Sequence, residues 1–75
     1  MKRYDDALAD LNRAIELNPE YAWAIAHRGR TYQAMKRYDD ALADLNRAIE
    51  LDPSDDDYAA TRLEIHRLIG KAADN

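Results

Sequence analysis

Residues 1–19 read MKRYDDALADLNRAIELNP, and residues 35–53 read MKRYDDALADLNRAIELDP. The stretches differ only at Asn18 against Asp52, so a helix-length segment recurs at a spacing of 34 residues. A fixed period of this size marks a repeat architecture, in which each unit is one supersecondary element stacked on the next. Within each copy the apolar residues fall three and four positions apart. They are Tyr4, Ala7, Leu8, Leu11, Ala14 and Ile15 in the first, and Tyr38, Ala41, Leu42, Leu45, Ala48 and Ile49 in the second. That spacing predicts an amphipathic helix. Asn18-Pro19 and Asp52-Pro53 end the two helices, because the residue before a proline avoids the α region.

The identity stops at Pro53. Glu20 to Ala34 and Ser54 to Leu68 are aligned by the same period, yet share only Ala26/Ala60 and Arg28/Arg62. The middle segment EYAWAIAHRGRTYQA is rich in Ala and predicts a helix from about Tyr21 to Ala34, followed by a short turn at Met35-Lys36-Arg37. The tail opens with Ser54 and Asp57, which resemble a capping box with Ser54 as N-cap. Asp55, Asp56 and Asp57 then sit at the positive end of a helix dipole. Tyr58, Arg62, Ile65 and Ile69 form one stripe, broadened by Leu63 and Leu68. Gly70 is expected to end this helix, and Lys71 to Asn75 to fray. The whole is all-α, with four helices whose short turns make neighbours antiparallel.

Composition narrows the function. Fifteen Asp and Glu face eleven Lys and Arg, a net charge of -4, which argues against a nucleic-acid partner. Without Cys there is no disulfide, thiolate metal site or thiol nucleophile. No apolar run approaches the ~18 residues that span a bilayer, and no signal segment opens the chain, so the default expectation is a cytoplasmic protein with no membrane partner. A single small domain of this length buries only about 60–65% of its unfolded surface, so its stability is modest.

A 34-residue helix-turn-helix period resembles the tetratricopeptide repeat. Ala22 to Asp55 is similar to one complete repeat. Gly29 and Tyr32 fit the Gly-x-x-Tyr step of its first helix, and Tyr38 and Ala41 the Tyr-x-x-Ala step that opens its second. Leu45, Ala48 and Pro53 follow where a large apolar residue, an Ala and a Pro belong. Tyr4, Ala7, Leu11, Ala14 and Pro19 match the second half of another repeat. Two positions depart from the pattern: Ile25, with Trp23 displaced by two, stands where a large aromatic is usual, and Arg28 where Leu precedes the Gly. Helix packing is assigned to Gly29, Tyr32, Tyr38, Ala41, Leu45, Ala48 and Pro53, the small residues admitting close backbones and the large ones filling space around them. The resemblance implies a short right-handed α-solenoid in one domain, 1–75. Residues 1–19 are then the second helix of a partial repeat, 22–55 a complete repeat, and 56–75 a capping helix with a frayed tail.

Little in the chain supports catalysis. His27 and His66 lie far apart in sequence without zinc-ligand spacing. Ser54, the only serine, suits a cap better than a nucleophile. The Asp55–Asp57 run lacks the spaced ligands and Gly of a calcium loop, and there is no Gly-rich phosphate loop. No cofactor or metal is expected. Trp23 has two readings, a core residue or a contact residue. The second follows from the resemblance, in which first helices line a concave groove for peptides or partner proteins. By position Trp23, His27, Arg30 and Gln33 face that groove, with Ala26, and the tail helix extends it through Asp57, Ala60, Thr61, Glu64 and Arg67. The Lys and Asn of the two-carboxylate clamp in chaperone-binding members are replaced by Ala26 and Arg30, which argues against an acidic C-terminal peptide. The resemblance thus implies a non-catalytic module for a protein or peptide.

The first copy is a second helix without its first. Its face at Tyr4, Leu8, Leu11 and Ile15 is normally sandwiched between neighbours. Three outcomes stay open: a fragment or engineered cut of a longer array, a homodimer through this helix, or an exposed and poorly stable face. Near-identical copies also compete for the helix at Tyr21–Ala34, which invites domain swapping.

Overall fold

The computed structural model describes residues 3–73. Four helices follow one another: α1 (Tyr4–Leu17), α2 (Ala22–Ala34), α3 (Tyr38–Leu51) and α4 (Asp56–Ala73). Each packs on the next, α2 and α4 touch lightly, and α1 meets only α2 among the described residues. The molecule is a slab of 40 × 32 × 17 Å. Its thickness is under two helix diameters, as expected for two rows of helices.

The turns follow local chemistry. Asn18 and Asp52 adopt φ of -146° and -143° before their prolines and stop α1 and α3. Pro53 itself is exposed, so it shapes the turn and packs no helix face. At the end of α2, Lys36 has φ 65°. The Arg37 N–H reaches Tyr32 O at 2.8 Å and the Lys36 N–H reaches Gln33 O at 3.0 Å, the pair of bonds that closes a Schellman motif. A lysine there carries the Cβ strain that Gly would avoid. Arg37 also lies 4.7 Å from the Tyr32 ring centroid and pairs with Asp40.

Two details of α4 differ from expectation. Its cap is Asp55, whose Oδ1 accepts the Asp57 N–H at 2.9 Å, while the Ser54 hydroxyl donates to Asp52 Oδ1 at 2.7 Å. The Asp52 carboxylate is the stronger acceptor within reach of that hydroxyl. Gly70 does not end the helix, which runs on to Ala73. Gly70 has no positive φ, so the left-handed cap never forms. Of the fraying expected over 71–75, Lys71 to Ala73 are helical, and Asp74 and Asn75 lie outside the described residues.

The core is Ala24, Ile25 and Ala26 of α2, Ala41, Leu45 and Ala48 of α3, and Tyr58 and Ile65 of α4. Tyr32, Tyr38, Leu42 and Ile49 pack around it. Gly29 sets the closest approach. A Cβ there would stand 3.1 Å from Asp44 Cβ and 3.2 Å from the Ala41 carbonyl oxygen, and nearer still to Leu45 Cδ2. At that approach Arg28 clasps both neighbours. Its Nε and Nη2 donate to the two carboxylate oxygens of Asp44 at 2.8 and 2.7 Å, and its Nη1 donates to Asn12 Oδ1 of α1 at 3.0 Å. The hydrogen bonds to Asp44 outweigh burial and raise the Arg28 pKa. One half of this clasp recurs one period later, with Arg62 Nη1 donating to Asn46 Oδ1 at 3.0 Å.

Identical sequence meets different surroundings in α1 and α3. α3 buries Ala41, Asp44, Leu45 and Ala48, whereas α1 buries none of Ala7, Asp10, Leu11 and Ala14. Leu45→Ala should therefore cost about 2–5 kcal/mol, the range for a fully buried leucine, and Leu11→Ala less than half as much. Urea unfolding of the two variants measures the gap; equal costs would refute the asymmetry. Arg28→Ala strands the Asp44 carboxylate, whose side chain is 8% accessible. It should cost about 2–3 kcal/mol, between surface-pair and buried-pair values, and the same titration reads it.

Candidate functional site

α2 turns three faces outward. One meets α1, a second meets α3 through Gly29, and the third carries Trp23, His27, Arg30 and Gln33 at helical spacing. Trp23 is 50% exposed. Its ring stacks on Tyr21 at 5.8 Å and on His27 at 4.0 Å, the latter pair inclined by 37°. Tyr21, one residue before α2, completes this aromatic row and was not singled out in the sequence. Its step of two to Trp23 falls outside the three-four spacing of that face.

Beyond the aromatic row, an open cavity of about 540 Å³ lies between α2 and α4. Arg30, Gln33 and Ala34 line one side, and Asp57, Ala60, Thr61, Glu64 and Leu68 the other. Arg30 Nη2 donates to Thr61 Oγ1 at 3.2 Å across it, and the Thr61 hydroxyl donates back to the Asp57 carbonyl oxygen at 2.8 Å. Arg67 does not line this cavity. It pairs with Glu64, donating from Nε to Oε2 at 3.0 Å, which lowers the Glu64 pKa. Ala26 is buried and cannot contact a ligand. Leu68, placed in the packing stripe by the sequence, lines the cavity instead. Its step of four from Glu64 and eleven from Asp57 sets it on their face.

The face assigned to self-association divides. Ile15 packs against the central cluster, so it belongs to the α1–α2 contact. Tyr4 lines a second cavity of about 340 Å³ with Arg3, Asp5, Asp6 and Met35. Leu8 and Leu11 are half-buried. Tyr4, Leu8, Leu11 and Ile15 therefore do not form one open surface. On α4, Leu63 is 72% exposed and broadens no stripe. The inward positions are Tyr58 and Ile65.

Among the described residues no three His, Asp or Glu side chains gather as a metal site, and no helix is long and apolar enough to cross a membrane. A family model described as tetratricopeptide repeat matches residues 1–65. No curated protein matches the chain.

Burial lowers the His27 pKa, and the Arg30 charge lowers it further. The folded state thus favours neutral imidazole. The stability His27 contributes is complete above the unfolded value of about 6.5 and falls as pH drops from there toward the lower folded value. Trp23 fluorescence, the single tryptophan signal, should show a transition below pH ~6.5 that Arg30→Ala moves partly upward and His27→Gln abolishes. A transition at or above that pH would contradict the assignment.

Proposed function

The chain belongs to the tetratricopeptide repeat family, and on that premise we infer that it binds an extended peptide or partner segment along α2 and α4. Repeats of this family generally mediate protein–protein interaction and are typically non-catalytic. The finer reading rests on one observation, the half-exposed Trp23 held between Tyr21 and His27 on the row that leads to the cavity. An exposed aromatic already fixed by its neighbours loses little side-chain entropy on binding, and Trp and Arg are the residues most enriched at binding hot spots.

The surface suits a ligand of mixed chemistry. Arg30, Gln33, Asp57 and Glu64 offer both donors and acceptors for a peptide backbone, and Ala34, Ala60 and Leu68 offer apolar floor for a side chain. Trp23 takes a second, larger side chain about two helical turns of α2 away. Arg67, tied to Glu64, offsets that carboxylate's charge on the α4 side. A peptide with two apolar residues and a carboxylate between them fits this order best.

Selection from a displayed peptide library, followed by titration of the selected peptide, tests the reading. Trp23→Ala with Arg30→Ala should weaken binding by about 30-fold or more, the loss expected of a hot-spot pair. Undiminished binding by the double variant would sink the groove assignment.

A further inference from the structure

The aromatic row and the cavity stand at an interval that selects the shape of a ligand chain. From Trp23 to Arg30 the α2 helix makes nearly two turns, so the two side chains return to one line about 10 Å apart along its axis. A ligand that answers both must repeat its side chains at that step. A β-strand places same-face residues about 7 or 13 Å apart, and both miss it. A polyproline II chain rises about 3.1 Å per residue with three residues per turn, so every third residue returns after about 9 Å. An α-helix also returns a residue after about 10 Å, so spacing leaves two candidates.

Hydrogen bonding separates them. The side-chain hydrogen bonds of α2 are made by Arg28, Arg30 and Thr31, so among the described residues the Trp23 indole N–H and the Gln33 amide have no partner. Arg30 has no carboxylate partner there either. The row therefore offers donors to a ligand. Opposite it, the Glu64 carboxylate is taken by Arg67, and the Thr61 hydroxyl accepts from Arg30 itself. A helix spends its carbonyl oxygens on its own N–H groups and would leave such donors unmet. A polyproline II chain makes no internal hydrogen bonds, so its carbonyls stay open, and its prolines carry no N–H in need of an acceptor. The rings agree with this. Trp23 is 50% exposed although Tyr21 and His27 lie against it, so aromatic surface of the kind on which proline-rich segments dock stays open.

We propose that the α2–α4 groove takes a proline-rich segment in the polyproline II conformation, with a proline at every third residue. One proline seats on Trp23, and the proline one turn further enters the cavity over Ala34, Ala60 and Leu68. Trp23 Nε1 and the Gln33 amide donate to carbonyl oxygens of the segment. An acidic residue between the prolines meets Arg30. Such a segment holds its bound shape before it binds, so little ordering is needed on either side. This inference rests on the groove reading of Trp23 and Arg30, and adds to it the conformation and side-chain class of the occupant.

Calorimetric titration with two synthetic peptides of equal length and charge, blocked at both ends, tests this. One is built of Pro-Pro-Glu repeats and holds polyproline II; the other is built of Val-Thr-Glu repeats and favours the β conformation. The proline peptide should bind about 10-fold more tightly or better. Trp23→Phe keeps a ring and loses the N–H, and should weaken that binding by about 3–10-fold, the range for one hydrogen bond. Trp23→Ala with Arg30→Ala should weaken it by about 30-fold or more. Equal or tighter binding of the Val-Thr-Glu peptide overturns the proposal, as does no binding of the proline peptide at millimolar concentration or binding that Trp23→Phe leaves unchanged. A library-selected peptide tells this failure from that of the groove. If its binding still depends on Trp23 and Arg30, only the proline-rich occupant is rejected; if it does not, the groove reading falls as well.

Discussion

The missing side chain of Gly29 is the constraint on which this fold turns. It lets α2 lie against the backbone of α3 at Ala41 and against Leu45, two of the most enclosed residues in the molecule. Only at that approach can the short Asp44 carboxylate, mostly withdrawn from water, take both of its hydrogen bonds from the Arg28 fork. A carboxylate so placed is tolerable because it is paired and because no buried side-chain polar atom among the described residues lacks a partner. Size and charge thus act together: the glycine sets the distance, and the arginine selects the register.

The two copies of one sequence show how little of a helix's burial is intrinsic. α1 and α3 share every residue between Tyr and Leu, and so share propensity, amphipathicity and charge pattern. One encloses four residues and the other none. The difference comes from neighbours, since among the described residues α3 is flanked by α2 and α4 and α1 by α2 alone. In stacked repeats stability resides in interfaces as much as in units, so the end member is the weakest part.

Much of this was legible beforehand. The 34-residue period and the three-four spacing located the helices, and the prolines located two of the ends. The misreadings share a cause. Ser54 looked like a cap, yet the bend after Pro53 placed its hydroxyl beside Asp52 and left Asp55 to meet the Asp57 N–H. Gly70 looked like a terminator, yet it kept an ordinary helical conformation. Both are choices between nearly equal local options, decided by three-dimensional context. Leu63 was misread because hydrophobicity predicts burial only where a neighbour exists. The residues of the proposed groove were partly legible: spacing put Trp23, His27 and Arg30 on one face, but the contribution of Leu68 depended on how α4 rotates about Tyr58 and Ile65. The share of Tyr21 depended on a turn geometry outside any helical period.

α2 carries both functional readings. Two of its faces are consumed by α1 and α3, and Arg28 fastens both at once. Its third face therefore projects Trp23, His27 and Arg30 from a helix with little freedom to tilt or roll. Such a row gains affinity by losing little on binding, so it needs no large contact area to be useful. α4 supplies the opposite wall and is held mainly on α3, by Tyr58, Ile65 and the Arg62–Asn46 bond, and only lightly on α2, through Arg30 and Thr61. α4 is thus the more lightly held wall, and its seating on α3 sets the width between Arg30 and Thr61. A ligand that bridges the two helices would stabilise the fold at its loosest interface, coupling occupancy of the groove to the seating of α4 on α3.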